Sequence, residues 1–321
     1  MPTVAITGLR TFVGQRLAER LRGEGEPEGF RVVGLDLRRP HRLEGRVRFQ
    51  RVDLTDPAVP LRIAEILEKE GVEVVVHCAF RTFPTADVEA DHELETIGTL
   101  HLLDACAAAR IPRLVVASST QVYGARPDQP AFLEEDHPLR GHPEAHQVRN
   151  LVEVEHILDA WQARHPDTAV TVLRRCWTVG PTVDEPITRY FARPVVPVVL
   201  GFDPRVQLIH EADCLRAFER AVREPHAGVF NVVGRGAVPL GVLLRRAGRR
   251  PLPIPGPLLR RFGELPARVS AGDPPDAFFD YLRYPFVADG SRAAAAFGEP
   301  VYTTQEAFAS FVGSRRMRRY R

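Results

Sequence analysis

Near the start of the chain, residues Ala5 to Leu21 read AITGLRTFVGQRLAERL. The apolar run Val4–Ile6 predicts a buried strand, and the apolar residues within Phe12–Leu21 recur with the spacing of a helix. Between the two lies a turn that contains Gly8 and Gly14. A strand, a glycine turn and a helix in this order predict an anion site, because the free N–H groups and the dipole of a helix N-terminus attract phosphate.

A dinucleotide-binding turn places an acidic residue on the adenosine ribose about 20 residues further along the chain. Asp36, which ends the next apolar stretch in VVGLDLRRP, fits that position. Its carboxylate favours a free 2′-hydroxyl and therefore NAD, whereas Arg38 and Arg39 would accept the 2′-phosphate of NADP. Thr11 stands where such a turn has its middle glycine. We expect its hydroxyl to cap the helix or to donate to a phosphate, so that cofactor binding persists in weakened form.

The composition is that of an ordinary globular protein. Of the 321 residues, 44% are apolar and 26% are charged, and the net charge of +2 does not indicate nucleic acid as a partner. No apolar run is long enough to span a membrane, and the N-terminus does not resemble a signal peptide. The cysteines lack metal-like spacing, so we expect reduced thiols, no metal and a cytoplasmic location. Lys69 is the only lysine.

Strand-like and helix-like segments alternate through the first half, which predicts a Rossmann-type doubly wound parallel sheet of the α/β class. The predicted strands are Thr3–Thr7, Arg31–Asp36, Phe49–Asp53, Val72–His77, Leu114–Ser118, Ala169–Leu173, Arg205–Ile209 and Gly228–Val233. The predicted helices are Phe12–Arg22, Leu61–Glu70, Val88–Arg110 and Val148–Arg164. From Gly180 onward the sequence becomes rich in proline, which predicts a smaller, interwoven C-terminal substrate lobe. We therefore assign residues 1–179 and about 205–233 to an NAD(P)-binding domain, and residues 180–204 and 234–321 to the lobe.

Several motifs in the same order resemble the extended short-chain dehydrogenase/reductase superfamily, in its NAD-dependent epimerase/dehydratase branch. TGLRTFVG is similar to the TGxxGxxG turn, RVDLTDP to the third strand end, VVVHCAF to the fourth strand, VVASSTQVYG to the fifth and VTVLRRCWTVGP to the sixth, where Arg175 replaces a common proline. Glu95 stands where the following helix usually has an asparagine. Together the turn and the resemblance imply cofactor contacts from Gly8, Arg10, Thr11, Phe12, Val13, Gly14, Asp36, Leu37, Arg38, Asp53, Leu54, Cys78, Ala79, Phe80, Ser118 and Arg175.

The family protonates its substrate with a tyrosine that is followed four residues later by a lysine, and a serine binds the substrate oxygen. Ser119 occupies the serine position, but the segment AHQVRNLVEVEHIL puts Gln147 and Leu151 at the other two. Moving the register by two residues gives Ala145 and Arg149, which supplies no proton either. A positioned general acid contributes roughly 10²–10⁴-fold to a rate, so its loss would cripple ordinary alcohol chemistry.

Ser119, Tyr123, His146 and Gln147 are the residues that we expect to orient or protonate the reacting oxygen. The first hypothesis is an atypical NAD(P)H-dependent oxidoreductase that acts on a small molecule, with NAD(H) favoured and NADP(H) possible. The alternative is a catalytically silent NAD(P)-binding redox sensor or scaffold. The long helices Val88–Arg110 and Val148–Arg164 resemble those that pair across a two-fold axis in this family, which predicts a homodimer.

Overall fold

The computed structural model describes residues 1–22, 29–83, 85, 87–258 and 277–318. Its strands, in chain order, are β1 Thr3–Thr7, β2 Arg31–Asp36, β3 Arg48–Arg51, β4 Val72–His77, β5 Arg113–Ser119, β6 Ala169–Arg175, β7 Trp177–Val179, β8 Val195–Val199, β9 Arg205–Val206, β10 Leu208–His210, β11 Gly228–Val232, β12 Val238–Pro239 and β13 Arg250–Ile254. Its helices are α1 Phe12–Leu21, α2 Val59–Glu70, α3 Val88–His92, α4 Gly98–Ala108, α5 His146–Arg164, α6 Pro186–Ala192, α7 Glu211–Arg223, α8 Leu240–Arg246, α9 Ala277–Tyr281, α10 Ser291–Phe297 and α11 Thr304–Arg318.

Seven parallel strands form the central sheet in the order β3-β2-β1-β4-β5-β6-β11. The chain runs outward from β1 to one edge and then crosses back to β4, so the strand order reverses between β1 and β4. In open α/β sheets, ligands bind beyond the carboxyl ends of the strands at such a switch point. The predicted doubly wound fold is confirmed, and it fixes where a ligand site is expected.

Apolar residues on both faces of the sheet explain why helices cover both. Along β1, Val4 and Ile6 belong to one core cluster and Ala5 to the other, and all three are inaccessible to solvent. Leu17 of α1 packs in the first cluster, and Leu102 of α4 packs in the second. This two-sided burial is typical of parallel sheets.

The predicted helix Val88–Arg110 is wrong as a single α-helix. It consists of α3, a π-helical turn over Glu93–Ile97, and α4. The wider turn is held by the Thr99 hydroxyl, which donates to the backbone carbonyl of Glu95. It also turns the Glu95 side chain into the protein, where only 1% of the residue remains exposed.

Two strand predictions also need correction. The predicted Arg205–Ile209 strand divides at Gln207, because β9 pairs with β12 whereas β10 pairs with β7. The Gln207 side chain instead bonds to the backbone of Gly234 and Ala288. The predicted Phe49–Asp53 strand lies slightly earlier, as β3, because the Asp53 side chain forms a turn with Thr55.

The later chain packs over the carboxyl edge of the sheet. Trp177 of β7 contacts the rings of Phe278 and Phe286, with ring centroids 5.3 and 5.0 Å away. Parts of the predicted lobe, residues 259–276 and 319–321, lie outside the described residues, and the division into two domains stays a prediction. Within the described chain, no helix is long and apolar enough to cross a membrane.

Candidate functional site

The turn between β1 and α1 requires both of its glycines. Gly8 has a φ of +68°, and a Cβ added there would lie 2.4 Å from the carbonyl carbon of Cys78 at the end of β4. A Cβ on Gly14 would lie 2.3 Å from the carbonyl oxygen of Gly8. The turn is therefore packed against the switch point and leaves no room for larger residues.

Thr11 fits the position of the missing middle glycine because its backbone is extended, at φ −76° and ψ 158°. The Thr11 hydroxyl accepts from the Gly14 N–H at 3.1 Å and donates to the Gly8 carbonyl at 2.8 Å. The predicted helix cap is confirmed. The alternative, donation to a phosphate, is not supported, because the single proton of the hydroxyl already lies on Gly8.

A groove of about 1170 Å³ runs from this turn to the end of β2. Asp36 lies in its wall, where burial raises the pKa of the carboxyl group, and the backbone N–H of Arg38 and the nearby charge of Arg10 oppose that rise. The lining residues are Gly8, Arg10, Thr11, Phe12, Leu35, Asp36, Leu37, Val52, Leu54, Ala79, Phe80, Arg81, Thr82, Phe83, Thr85, Leu94, Asp184 and Glu185. Most of the predicted cofactor contacts thus share one groove.

Three predicted contacts do not line either this groove or the cavity beside it. Arg38 contributes only its backbone N–H, which donates to Asp36 at 3.3 Å. The Asp53 carboxylate accepts from the N–H and the hydroxyl of Thr55, at 3.0 and 2.8 Å, while its neighbours Val52 and Leu54 line the groove. Gly14 acts from beneath the turn through its packing on Gly8.

A second cavity, of about 1060 Å³, continues inward from the groove and shares Thr11, Phe80, Arg81 and Glu185 with it. The carboxyl ends of β5 and β6, the start of α5, the start of α6 and the face of α9 surround it. Its lining residues are Thr11, Val13, Cys78, Phe80, Arg81, Thr82, Ala117, Ser118, Ser119, Gln121, Ala145, Gln147, Val148, Leu151, Arg175, Cys176, Trp177, Glu185, Pro186, Ile187, Ala277, Phe278 and Tyr281.

Two of the four predicted catalytic residues line this cavity. The Ser119 hydroxyl caps the short turn Thr120–Tyr123 and accepts from the Gln121 N–H at 3.2 Å. The side-chain amide nitrogen of Gln147 donates to the Phe83 carbonyl at 2.6 Å. Leu151 lines the same wall one helical turn further on, whereas Arg149 is exposed.

Tyr123, which we expected to orient or protonate the reacting oxygen, does not line the cavity. It is completely buried, its hydroxyl donates to Asn231 Oδ1 at 2.7 Å, and it accepts from Arg174 at 2.8 Å. Burial raises its pKa to about 12. The same buried network includes Ser118, whose hydroxyl donates to Glu155. This network joins β5, β6, β11 and α5, and its place in the fold indicates a structural role.

His146 is also directed away from the cavity. Its Nε2 lies 3.0 Å from Oδ2 of Asp91, which has no exposed surface. Asp91 also accepts from the Thr85 hydroxyl at 2.8 Å and pairs with the Arg81 guanidinium. His146 therefore anchors the loop that follows β4 and does not line the cavity, so the structure does not bring it together with Ser119 and Gln147.

Glu95 lies behind the same loop. Its carboxylate accepts from the Arg81 N–H at 2.7 Å and from Asn150 Nδ2 at 2.8 Å. Burial raises its pKa from 4.5 to about 7, although these two bonds favour the ionised form. Asp91 and Glu95 together hold the loop that lines both the groove and the cavity.

Arg175 and Glu185 form the charged pair of the inner cavity. Arg175 is the register partner of Ser119 on the neighbouring strand, and its two terminal nitrogens lie 2.8 and 3.0 Å from the carboxylate of Glu185. It also donates to Thr178 at 3.0 Å. Sequence reasoning missed Glu185, although its place before a proline that begins α6 is a recognisable helix-start signal. In the described chain, no group of three or more His, Cys, Asp or Glu residues is arranged to hold a metal.

A glycine turn at the switch point of a doubly wound sheet, with an acid at the end of β2, defines a dinucleotide-binding protein. The chain belongs to the NAD dependent epimerase/dehydratase family, whose profile matches residues 4–233. The resemblance stated from the motifs is thereby confirmed. An uncharacterized protein of Mycobacterium tuberculosis is 34% identical over 320 residues, which cover 97% of this chain and 84% of the relative. The protein YeeZ of Escherichia coli is 32% identical over 132 residues, or 41% of this chain and 43% of that protein.

Solved structures share the fold at lower identity. A dTDP-glucose 4,6-dehydratase from Bacillus anthracis in complex with NAD has a TM-score of 0.75 at 14% identity, covering 99% of this chain and 97% of that one. A UDP-glucose 4-epimerase from Thermotoga maritima with UDP-glucose has a TM-score of 0.73 at 18% identity, covering 98% and 99%. A UDP-glucose 4-epimerase of Thermus thermophilus in complex with NAD has a TM-score of 0.72 at 23% identity, covering 98% and 99%.

Proposed function

We propose that the chain is an NAD(H)-dependent oxidoreductase that acts on a small molecule without a tyrosine–lysine pair. The observation that carries the proposal is the junction of the two cavities. The groove that fits a dinucleotide opens directly into an inner cavity, and Ser119 and Gln147 lie in the wall of that inner cavity.

The residues of the groove fit NAD. The Gly8–Gly14 turn brings the start of α1 to the groove, where the helix N-terminus would bind pyrophosphate. Asp36 would accept from the ribose hydroxyls, and the apolar Val52 and Leu54 would flank adenine. The Asp36 carboxylate would repel a 2′-phosphate, so NADP is the less favoured cofactor, although Arg10 lies in the same wall. When bound, the nicotinamide exchanges a hydride with a carbonyl or alcohol carbon.

The side chains of the inner cavity bind an oxygen better than they protonate one. The Ser119 hydroxyl, whose present acceptor Gln121 Oε1 is 3.4 Å away, is free to turn toward a substrate oxygen. Gln147 offers an amide, which forms hydrogen bonds but has no proton to give. We therefore propose that the substrate needs little proton assistance, so that hydride transfer proceeds at a useful rate despite the missing acid.

The second candidate is a silent NAD-binding sensor or scaffold. The wall of the inner cavity favours this candidate. Leu151 carries no charge there, and the amide nitrogen of Gln147 is already bonded to the Phe83 carbonyl. In this case the cofactor would bind without turnover.

The deciding experiment measures NADH and NADPH binding and then restores the family's pair as Gln147→Tyr with Leu151→Lys. We expect saturable binding of NADH, and a carbonyl reductase activity that the double variant raises by about 10²–10⁴-fold. Gln147→Phe with Leu151→Met is the matched control, because it keeps comparable volumes without an acid or a cation. Absence of NADH binding would refute the oxidoreductase. Binding with no turnover in the double variant would favour the sensor.

We also propose a cytoplasmic homodimer. The four cysteines are free and buried, as expected of reduced thiols.

On α4, the exposed Leu100 offers an apolar contact for a second copy of the chain. Most of the outer face of α5 is polar. Light scattering of the native chain and of Leu100→Glu tests the dimer. A monomeric native chain would contradict it.

A further inference from the structure

We infer that the inner cavity selects an uncharged, largely apolar carbonyl compound, and this inference rests on the proposed function. The first observation is the wall. Trp177, Leu151, Ile187 and Phe278 line the cavity together with Phe80 and Val148. Aromatic and aliphatic surfaces of this kind bind apolar ligands, and few polar groups are needed to orient them.

The second observation is that the arginines of the cavity are paired with carboxylates of the protein. Among the described residues that line the cavity, the arginines are Arg81 and Arg175. Arg175 is held by both carboxylate oxygens of Glu185, whose side chain is 5% exposed, and Arg81 pairs with Asp91, whose side chain is 0% exposed. Each cation is therefore neutralised by a buried carboxylate of the protein.

A ligand that carries a diphosphate would meet guanidinium groups whose charge is already shared with these carboxylates. Taking Arg175 from Glu185 would leave a buried carboxylate without its cation, which is costly in a low-dielectric site. A diphosphate that did not take the cation would itself be desolvated without a counter-charge. An uncharged ligand meets neither obstacle, and it leaves the ion pairs intact.

The third observation concerns the helix wall. Leu151 stands at the position where the resembled family has a lysine, so this part of the helix wall carries an apolar side chain. Ser119 and Gln147 are the neutral groups that we expect to bind the carbonyl oxygen, and Thr82 and Gln121 also line the cavity. The site thus matches a molecule with a single carbonyl oxygen and an apolar body, such as an aromatic aldehyde or an enone.

The test is calorimetric titration of the NAD⁺-loaded chain with trans-cinnamaldehyde and, separately, with UDP-glucose. The oxidised cofactor prevents reduction of the aldehyde during the measurement. We expect saturable binding of cinnamaldehyde and at least tenfold weaker binding of UDP-glucose. Leu151→Lys should weaken cinnamaldehyde binding at least tenfold, because it places a cation against an apolar ligand. Ala160→Lys, on an exposed turn of the same helix, is the matched control.

Tighter binding of UDP-glucose than of cinnamaldehyde would overturn the inference, and so would equal losses in the two lysine variants. A chain that binds NAD⁺ but neither probe overturns the inference and leaves the proposed cofactor site standing. A chain that does not bind NAD⁺ overturns the proposed function itself, so the two failures are distinguishable. If Leu151→Lys does not fold, the two probes compared on the native chain still decide the outcome.

Discussion

Replacing Glu95 with glutamine should remove a pH-dependent loss of stability. Glu95 is 1% exposed, and burial raises its pKa from 4.5 to about 7. Because the folded state holds this proton more tightly than the unfolded state does, the free energy of unfolding falls as pH rises from about 4.5 to about 7. A pKa difference of that size corresponds to about 3 kcal/mol, fully lost above the folded-state pKa.

Glutamine keeps the shape and can keep the contacts of Glu95. Its carbonyl oxygen can accept from the Arg81 N–H, and its amide can donate to Asn150 once that side chain turns over. We therefore expect Glu95→Gln to match the native chain near pH 5 and to exceed its stability by about 2–3 kcal/mol at pH 8.

Urea unfolding of both chains at several values between pH 5 and pH 8 measures the difference, in which the contributions of other titrating groups cancel. Glu65→Gln, on the exposed face of α2, is the control and should show no such divergence. Parallel curves for the native chain and Glu95→Gln would refute the reasoning, because they would mean that Glu95 has the same proton affinity in both states.

Three further outcomes are expected. Gly8→Ala should weaken NADH binding at least tenfold in a fluorescence titration, because its Cβ would lie 2.4 Å from the backbone of Cys78; native affinity would contradict the packing argument. Asp36→Asn should weaken NADH binding and remove its pH dependence, since the native affinity falls as pH drops through the raised pKa of this carboxyl; unchanged affinity would exclude Asp36 from the ribose. Glu155→Gln should cost about 3–5 kcal/mol in urea unfolding, because it leaves the buried Arg174 without its counter-charge; a loss below 1 kcal/mol would show that the pair is not needed.

The part of the fold that sequence predicts well is local. The segment from β1 to α1 was predictable because buried apolar periodicity, a turn that only glycine fits and a helix start all lie within neighbouring residues. The parallel strands follow from the same alternation. The π-helical turn before α4 was not predicted, and the buried Glu95 within it bonds to Arg81 and Asn150, which are distant in sequence.

The direction of individual side chains was the least predictable feature. Tyr123 lies four residues after Ser119 in sequence, yet Asn231 and Arg174 hold its hydroxyl in the core, and the Ser118 hydroxyl, at the cavity wall, is bonded to Glu155. Their burial is decided by partners from other strands and from α5. A motif therefore locates the edge of the sheet at which the site lies, but it does not decide which hydroxyl faces the ligand.

The residues at which this chain departs from the resembled family, Leu151 and Arg175, change where positive charge lies in the inner cavity. The helix wall carries Leu151 in place of a cation, and a guanidinium instead stands beside Ser119 as Arg175, where the resembled family has a proline. Glu185 holds that guanidinium in a fixed pair, so the charge cannot activate an acid as a free lysine would. On the function that we propose, proton chemistry and strong anion binding would be lost together, while the turn at Gly8 and the apolar side chains of the cavity are retained. That combination is the one that our proposal of hydride chemistry on an uncharged substrate requires.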